Sequence, residues 1–333
     1  MTTVGIIVNP HAGKDLRRLV SAAGHTSDSV KIGILRRAIA GAAEAGAERI
    51  LLSADTHRLG ERAAEGLAAA VEIVDGPMTS SRLDSVVAAQ EMWKAEAGCV
   101  VTLGGDGTCR DAATGWPQLP MIAISTGTNN VFPRAVDATS AGLAAGLIAG
   151  ATIALDDVGT PSKRLVAHVE DPQVAASHDE VALVDVAMVT GSFVGARAVT
   201  DPNTIRWVAA CIAEPASTGL AGIAGRVHPV SRHNDGGVLV RVGAGGRRVR
   251  VPLSPGAFDS VDIAGVQQLT QSGPVELEGG GVLAFDGERT LPVPAGATIT
   301  VSLDTAGPVV VDVEQALRLA ARAGYFQEPA SGT

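Results

Sequence analysis

The sequence Val100-Val101-Thr102-Leu103-Gly104-Gly105-Asp106-Gly107-Thr108 joins an apolar β-type run to a glycine-rich turn. The apolar run predicts a buried strand, and the change to glycine at its end predicts a tight connection into a helix. Three glycines in four positions permit positive φ angles and leave no Cβ in the way of a ligand. Successive N–H groups can then face a phosphate group. The stretch therefore predicts a phosphate-binding turn at the end of a strand in an α/β sheet.

Asp106 is an acid set among these backbone amides. A carboxylate repels a phosphate group unless a metal ion lies between them or the carboxylate faces a hydroxyl group instead. We therefore predict that Asp106 either binds Mg²⁺ or accepts a proton, and both roles indicate phosphoryl transfer. A simple helix cap by Asp106 or Thr108 is the alternative, but a cap does not require three glycines around an acid. Asp111 either completes this cap or faces the acceptor.

A second turn of similar character follows the apolar run 120–124. Its sequence is Ser125-Thr126-Gly127-Thr128-Asn129-Asn130, in which hydroxyl and amide groups cluster around one glycine. If the two apolar runs are neighbouring parallel strands, both turns lie at the carboxyl end of the sheet, where ligands of open α/β folds bind. We therefore predict that the residues from Thr126 to Asn130 bind the same ligand as the first turn.

A third candidate loop, Asn9-Pro10-His11-Ala12-Gly13-Lys14, leaves the first β-type run of the chain. It is not a P-loop, because Val8 stands where the first glycine belongs and Asp15 replaces the serine or threonine. The loop is either a plain strand-to-helix connection or a third binding loop on the same sheet edge. Asn9 is the best binding candidate in it, since its amide can bind a ligand at the strand end.

The order of patterns along the chain predicts two domains. Up to about residue 150, short β-branched runs alternate with alanine-rich helical stretches, which is typical of a parallel sheet with crossover helices. Beyond it, short alternating runs predict an antiparallel β-sandwich, interrupted by a helix over residues 202–213. We predict a doubly wound α/β domain over 1–150, a β-rich domain over 151–312 and a helix over 313–327 that returns to the first domain.

Composition excludes several classes of function. The formal net charge is −9 and there is no long basic run, so a nucleic acid is not an expected partner. No apolar run approaches the ~18 residues of a membrane-spanning helix, and the amino terminus lacks the pattern of a signal peptide. The three cysteines are few and widely spaced, which favours the cytoplasm. We expect a cytoplasmic homo-oligomer without integral membrane association.

The segment Phe285-Asp286-Gly287-Glu288-Arg289 lies between two β-type runs. Asp-Gly is a strong hairpin signal, so a turn alone can explain it. Two carboxylates around one glycine can also reach a cleft between the domains, where phosphoryl transfer needs a general base. Both interpretations stay open on spacing alone.

Together these motifs resemble those of the superfamily that unites NAD kinases with diacylglycerol and sphingosine kinases. Its members carry Asn-Pro-x-x-Gly after the first strand, Gly-Gly-Asp-Gly-Thr after a later strand and Gly-Thr-x-Asn after the next one. Residues 9–13, 104–108 and 127–130 match these motifs, and residues 286–288 match the Asp-Gly-Glu of the lipid-kinase branch. Over essentially its whole length the chain looks most like the ATP-NAD kinase-like family of acetoin catabolism protein X.

The resemblance implies ATP and Mg²⁺ as cofactors, NAD or a related small molecule as acceptor, NADP as product and a link to acetoin catabolism. It implies that Asp106 orients Mg²⁺-nucleotide or accepts the proton of the attacking hydroxyl, and that Glu288 is also catalytic. The residues that it implies hold phosphates are Asn9, Gly104, Gly105, Gly107, Thr108, Thr126, Gly127, Thr128, Asn129 and Asn130.

Two departures from the superfamily leave other functions open. NAD kinases carry an Asn-Glu pair that grips the dinucleotide, and this chain contains no Asn-Glu dipeptide. Lipid kinases have aspartate at the end of the Gly-Thr-x-Asn motif, where this chain has Asn130. The alternatives to a small-molecule kinase are therefore a lipid kinase, favoured by residues 286–288, and a nucleotide-binding regulatory protein that has lost catalysis.

Overall fold

The computed structural model describes residues 1–13, 26–127, 130–171, 176–191, 201–287 and 289–327. The strands are β1 (Thr3–Val8), β2 (Arg49–Leu52), β3 (Val71–Ile73), β4 (Cys99–Gly104), β5 (Pro120–Ser125), β6 (Gly159–Pro161), β7 (Arg164–Asp171), β8 (Ala176–Ala182), β9 (Asp185–Val189), β10 (Ile205–Ala210), β11 (Gly237–Ser254), β12 (Ala257–Leu269), β13 (Val275–Glu278), β14 (Gly281–Phe285), β15 (Arg289–Val293), β16 (Thr298–Asp304) and β17 (Val309–Val311). The helices are α1 (Asp28–Glu44), α2 (Leu59–Ala64), α3 (Arg82–Lys94), α4 (Asp106–Gly115), α5 (Ala138–Ala149), α6 (Leu155–Val158), α7 (Leu220–Val227) and α8 (Val313–Arg322).

The alternating first part of the chain forms the parallel sheet that its pattern predicts. The strand order is β3-β2-β1-β4-β5-β17-β6, and every neighbouring pair is parallel except β17 with β6. Every residue of β1 and β4 is buried, as expected for central strands covered by helices on both faces. Because β1, β4 and β5 run in the same direction, the loops that follow them lie at one edge of the sheet.

Small residues allow helices α1 and α5 to pack closely on one face of this sheet. A Cβ atom on Gly142 would overlap the carbonyl oxygen of Ala38, and one on Gly41 would lie 2.8 Å from the amide nitrogen of Leu143. Ser27 caps α1 and Asp137 caps α5, each through a side chain that accepts a backbone N–H. With 17 residues, α1 is the longest described helix, and no described helix is long and apolar enough to cross a membrane.

The rest of the chain forms two antiparallel sheets, so the predicted fold class is confirmed. One sheet has the order β12-β11-β10-β9-β14-β15, and the other has the order β13-β16-β7-β8. One continuous cluster of buried apolar side chains includes Met92 and Cys109 of the first part as well as Leu165 and Phe285 of the β sheets. The core therefore extends across the junction at which the site lies.

The prediction of a helix over residues 202–213 is wrong. Residues Pro202–Thr204 form only one 3-10 turn, and the chain then continues as β10 between β9 and β11. A central strand that is covered on both faces is apolar at nearly every position, so its sequence resembles that of a buried helix. Helix α7, at Leu220–Val227, was not predicted.

The end of the chain returns to the parallel sheet. Strand β17 pairs with β5, and Val313, Ala316 and Ala320 of α8 are buried in the apolar cluster of the first part. Strand β6 is also in this sheet although it follows residue 150. The domain limits 1–150, 151–312 and 313–327 stay a prediction.

Candidate functional site

A cleft of about 750 Å³ opens where the loops after β1, β2 and β4 meet. Its lining from the first part of the chain comprises residues 8–13, 53–55, 80–82, 84–85, 105, 107–108, 110–111, 127 and 130. Arg289 and Thr290 of β15 line it from the β sheets. The cleft therefore lies at the carboxyl edge of the parallel sheet, where the sequence motifs predict a ligand.

The glycine-rich turn forms the start of α4. Gly105 is the N-cap residue and Asp106 begins the helix, so the N–H groups of the first turn have no partner within the helix. Together with the helix dipole, such groups attract anions. None of Gly104, Gly105 and Gly107 has a positive φ, so a left-handed backbone is not the reason for glycine at these positions. A Cβ atom on Gly104 would instead overlap the side chain of Thr108, so Gly104 permits a close approach.

The loop after β1 contacts both turns. Asn9 Nδ2 donates to Thr108 Oγ1 at 3.0 Å, and Asn9 Oδ1 accepts the N–H of His11 at 2.8 Å. Gly13 has a φ of +71°, and a Cβ atom there would lie 2.6 Å from the carbonyl oxygen of Thr126. The three loops that were singled out in the sequence therefore converge. Lys14 lies outside the described residues.

A buried lysine is hydrogen-bonded to the backbone of this loop. Lys31 of α1 is fully buried, and its Nζ donates to the carbonyl oxygens of Pro10 at 2.6 Å and Asn9 at 3.2 Å. Burying an ammonium group is costly unless it is hydrogen-bonded, so these contacts fix both the lysine and the loop. The positive charge lies directly behind a cleft wall and favours an anion in the cleft.

The second turn is hydrogen-bonded to the first. The N–H of Thr126 donates to the carbonyl oxygen of Gly104 at 3.1 Å, and Asn130 Nδ2 donates to Ser125 Oγ at 2.8 Å. Gly127 and Asn130 line the cleft. The Oγ1 atom of Thr126 is buried and has no hydrogen-bond partner within the described part of the chain. Thr128 and Asn129, which were also predicted to bind, lie outside the described residues.

The carboxylate of Asp106 holds the segment that follows the second turn. Its Oδ1 accepts the N–H of Val131 at 3.0 Å and that of Phe132 at 2.8 Å. Asp106 is 7% exposed and is not among the residues that line the cleft. Asp106 thus connects the two turns in this structure, and its predicted roles toward metal and proton stay predictions.

Arg232 binds the carbonyl oxygens of the same segment. Its Nη1 donates to the carbonyl oxygen of Phe132 at 3.1 Å, and its Nη2 donates to that of Val131 at 2.7 Å. Burial lowers the pKa of Arg232, the positive charge of Arg134 lowers it further, and Asp106 is one of the acids that oppose these effects. Arg232 follows α7, so it brings the β-sheet part of the chain to within one peptide group of Asp106.

A buried group of charges joins α4 to the Asp286 turn. Arg110 Nη1 donates to the carbonyl oxygen of Phe285 at 3.0 Å and lies 3.5 Å from Asp286 Oδ2, and Arg110 Nη2 lies 3.1 Å from Asp111 Oδ1. Burial raises the pKa of Asp286, while Arg110 and the N–H groups of residues 183–185 oppose this shift. Burial likewise raises the pKa of Asp111, which lines the cleft. Of the two acids in the Asp-Gly-Glu match, Asp286 is structural here, and Glu288 lies outside the described residues.

The described residues do not form a metal site by themselves: no group of three or more His, Cys, Asp or Glu side chains among them could hold an ion. Mg²⁺ in nucleotide sites commonly takes one or two carboxylates and completes its shell with substrate phosphates and water. Asp55, Asp84 and Asp111 are the carboxylates in the cleft lining. Each of them already accepts a hydrogen bond, Asp55 from the N–H of Leu59, Asp84 from that of Thr79 and Asp111 from Arg110. A metal ion in this cleft would therefore take most of its ligands from substrate phosphates and water.

Several residues of the site were not predicted from the sequence. Lys31 and Arg232 lie far from any motif, and only the folded chain brings them to the loops. Ser53 and Asp55 follow β2 directly, and Ser53 Oγ accepts the N–H of Val8 at 3.0 Å. Their position at a fourth strand end was the one signal that could have identified them.

The comparisons with known proteins agree with this geometry. The model of the ATP-NAD kinase N-terminal domain matches residues 4–151, and that of the acetoin catabolism protein X C-terminal domain matches residues 163–306. Acetoin catabolism protein X of Cupriavidus necator is 33% identical over 332 residues, covering 96% of this chain and 92% of that protein. An uncharacterized protein of Archaeoglobus fulgidus is 32% identical over 134 residues, which cover 39% of this chain and 36% of that protein.

Among solved structures, yeast NADH kinase complexed with NADH superposes with a TM-score of 0.54 at 14% identity, covering 99% of this chain and 90% of that one. The fold and the amino-terminal match define a protein of the NAD kinase-like class. The chain belongs to the acetoin catabolism protein X family, and the resemblance drawn from its motifs is confirmed.

Proposed function

We propose that this chain transfers the γ-phosphoryl group of ATP to a hydroxyl group of NAD or a related small molecule. The observation that carries the proposal is the convergence of the Asn9 loop, the start of α4 and the Gly127 turn on one cleft. Catalysis of phosphoryl transfer consists mainly of positioning and charge stabilisation. A cleft with helix N–H groups, amides and arginines provides both.

The phosphate groups belong at the start of α4. Gly105, Gly107 and Thr108 line the cleft there, and the N–H groups at the start of a helix attract anions. Asn9 is held at Thr108 by its amide. The buried hydroxyl of Thr126, which lacks a partner among the described residues, fits a hydrogen bond to a group bound beside it.

Mg²⁺, when bound, would neutralise phosphate charge, with Asp106 as its proposed protein ligand. We propose that Asp106 keeps a negative charge at the start of α4 while its oxygens hold Val131 and Phe132. It would thereby orient the nucleotide or accept the proton of the attacking hydroxyl, as the sequence predicts. Glu288 is the second proposed catalytic residue, on its motif alone.

The acceptor, the link to acetoin catabolism and the assembly are further parts of the proposal. NAD is proposed because the amino-terminal family model is that of ATP-NAD kinases, and acetoin catabolism because the curated relative carries that name. A homo-oligomer and a cytoplasmic location stay predictions from the sequence.

The proposal is tested by measuring NADP formation from Mg²⁺-ATP and NAD with an NADP-specific dehydrogenase. We expect wild type to form product and Asp106→Asn to be at least about 100-fold slower, the lower range for loss of a general base. Asp137→Asn is the matched control, since Asp137 caps α5 away from the cleft and asparagine caps a helix equally well. It should keep full activity.

Three outcomes would count against the proposal. Equal activity of wild type and Asp106→Asn would remove Asp106 from catalysis. Calorimetric binding of ATP with no product from NAD, from other hydroxyl compounds or from diacylglycerol vesicles would instead favour a regulatory protein. Product from the vesicles alone would favour a lipid kinase.

A further inference from the structure

Three charged side chains that the proposed function does not use meet beside the cleft. Arg82 is the first residue of α3, Glu180 lies on β8 and Arg289 is the first residue of β15. Both arginines line the cleft. Arg82 belongs to the parallel-sheet part of the chain and Arg289 to the β sheets, so the group bridges the two parts.

The carboxylate of Glu180 binds the two guanidinium groups as a bound anion would. Arg289 Nε donates to Glu180 Oε2 at 3.0 Å and Arg289 Nη2 donates to Oε1, so the pair is bidentate. Arg82 Nη1 lies 3.5 Å from Oε2. Paired N–H donors in this arrangement are the usual means by which arginine binds carboxylates and phosphates.

Exposure distinguishes this group from the buried charges beside it. The Arg110 side chain is 5% exposed and belongs to the Asp286 pair, whereas the side chains of Arg82 and Arg289 are 33% and 25% exposed. Their positive charges also reach the cleft, because both lower the pKa of Asp111 against the effect of burial. The two exposed arginines are therefore available to the cleft if Glu180 releases them.

We infer that Arg82 and Arg289 form a second anion-binding site in the cleft, for a phosphate or carboxylate group of the acceptor, and that Glu180 occupies it as an internal substitute in the ligand-free chain. That the anion belongs to an acceptor rests on the proposed function. The site itself does not, because anion binding can be measured without phosphoryl transfer.

The lining next to the arginines suits an anionic group that also carries hydroxyls. Ser80, Ser81 and Thr290 lie in the same part of the cleft lining. The phosphate-binding turn at Gly105, Gly107 and Thr108 supplies a different set of donors, the N–H groups at the start of α4. A ligand held at both places would have one anionic group on the α4 turn and another between Arg82 and Arg289.

The deciding variant is Glu180→Gln, which keeps the shape of the side chain and removes the competing charge. The probe is glycerol 3-phosphate, titrated calorimetrically, with succinate as the carboxylate arm and glycerol as the uncharged arm. We expect Glu180→Gln to bind glycerol 3-phosphate about three- to tenfold more tightly than wild type, the range that one competing, partly exposed ion pair allows. Tighter binding of succinate instead would assign the site to a carboxylate ligand, and glycerol should bind equally to both proteins.

Two controls locate the effect. Glu72→Gln makes the same charge change outside the cleft, where Arg49 Nε and Nη2 both donate to Glu72 Oε2, and it should bind as wild type does. Arg289→Met in the Glu180→Gln background should abolish the gain. An unchanged or weaker affinity of folded Glu180→Gln for both anions, or a gain that survives Arg289→Met, would overturn the inference.

If Glu180→Gln does not fold, single variants of the arginines decide. Arg82→Gln and Arg289→Lys in the wild-type background should each weaken binding of glycerol 3-phosphate or succinate by about threefold or more, since lysine cannot form the bidentate contact. Wild-type affinity in both variants would overturn the inference. A gain in Glu180→Gln, with no phosphoryl transfer from ATP to NAD or to other hydroxyl compounds, would support this anion site while rejecting the proposed function.

Discussion

At the residue scale, two opposite charges hold one short piece of backbone. Asp106 accepts the N–H groups of Val131 and Phe132, and Arg232 donates to the carbonyl oxygens of the same residues. Hydrogen bonds to charged groups contribute about 1.5–3 kcal/mol each, so this segment is rigidly placed relative to α4. Arg232 therefore positions Asp106 without touching it.

We predict that Arg232→Met slows turnover by about tenfold or more with a smaller change in KM, because misplacing a catalytic group by a fraction of an ångström is costly. Arg232→Lys should recover part of the loss. The amides of Val131 and Phe132 should also exchange faster in Arg232→Met, as measured by hydrogen exchange.

Arg206→Met is the matched control for Arg232→Met. Arg206 Nη1 also reaches two backbone carbonyl oxygens, those of Gly279 at 3.4 Å and Gly280 at 3.5 Å, away from the cleft. It should leave both turnover and the exchange of Val131 unchanged. Wild-type exchange in Arg232→Met would show that Asp106 alone holds the segment.

At the scale of single elements, the glycines of α1 have different roles. A Cβ atom on Gly33 meets nothing within 4 Å, whereas one on Gly41 would collide with the backbone of α5. We predict that Gly33→Ala raises the free energy of unfolding by about 0.5–1 kcal/mol, since alanine favours a helix. Gly41→Ala should lower it by about 1–3 kcal/mol through overpacking. Urea unfolding of the two variants measures both, and equal effects would contradict the close α1–α5 contact.

The β7–β8 pair carries a pH-dependent contact. His168 Nδ1 lies 2.6 Å from Asp179 Oδ1 and its Nε2 lies 3.3 Å from Glu170 Oε1, and the hydrogen bond to Asp179 is the main reason that the pKa of His168 is raised. A raised histidine pKa stabilises the fold fully below the unfolded pKa, and this contribution is lost as the pH rises through the folded pKa.

His168→Gln should therefore lower the Tm relative to wild type at about pH 6 and have no such effect at about pH 9, where histidine is neutral. The exposed His233, which has no ion pair among the described residues, gives the control variant His233→Gln. The Tm difference of that control should not depend on pH. A larger effect of His168→Gln at the alkaline pH would contradict the assignment.

Elements with a clear period or a clear cap could be predicted from the sequence, and others could not. The runs that became β1, β4 and β5 are short, apolar and followed by asparagine, glycine or hydroxyl residues of a turn, so their type and direction could be predicted. The run Ile205–Ala210 is equally apolar but lies in the middle of a sheet, where burial on both faces removes the alternation that marks a strand. Only its pairing with β9 and β11 shows that this run is a strand rather than a helix.

At the scale of the whole molecule, one arginine joins the two parts of the chain at the site. Arg110 of α4 contacts Phe285 and Asp286 at the end of β14, and the Asp286 side chain is fully buried. Removing one partner of a buried ion pair commonly costs about 3–5 kcal/mol. We therefore predict a loss of this size in Arg110→Met, measured by urea unfolding followed by tryptophan fluorescence.

Arg164→Met is the control for Arg110→Met. Arg164 pairs with Asp304 across β7 and β16, but the two side chains are 21% and 32% exposed, so the loss should stay near 0–1 kcal/mol, roughly the worth of an exposed pair. Equal losses in the two variants would show that Asp286 is held by the backbone N–H groups of residues 183–185 rather than by Arg110.

The residues of the site also differ in whether the sequence could predict them. Residues that follow strand ends, such as Asn9, Gly107 and Gly127, could be predicted, because topology places all carboxyl ends at one edge. Contacts that depend on how the two parts pack, such as those of Arg110, Arg232 and Arg289, could not be predicted, since their partners lie far away in sequence.

The most direct test of the central claim is the fate of the γ-phosphate itself. Mg²⁺-ATP and NAD are incubated with the chain and followed by ³¹P NMR, which reports a new phosphomonoester whatever the acceptor. We predict equal amounts of ADP and a phosphomonoester on NAD or a related hydroxyl compound with wild type, and neither with Asp106→Asn. ATP that stays intact with every acceptor, while calorimetry shows that it binds, would contradict it.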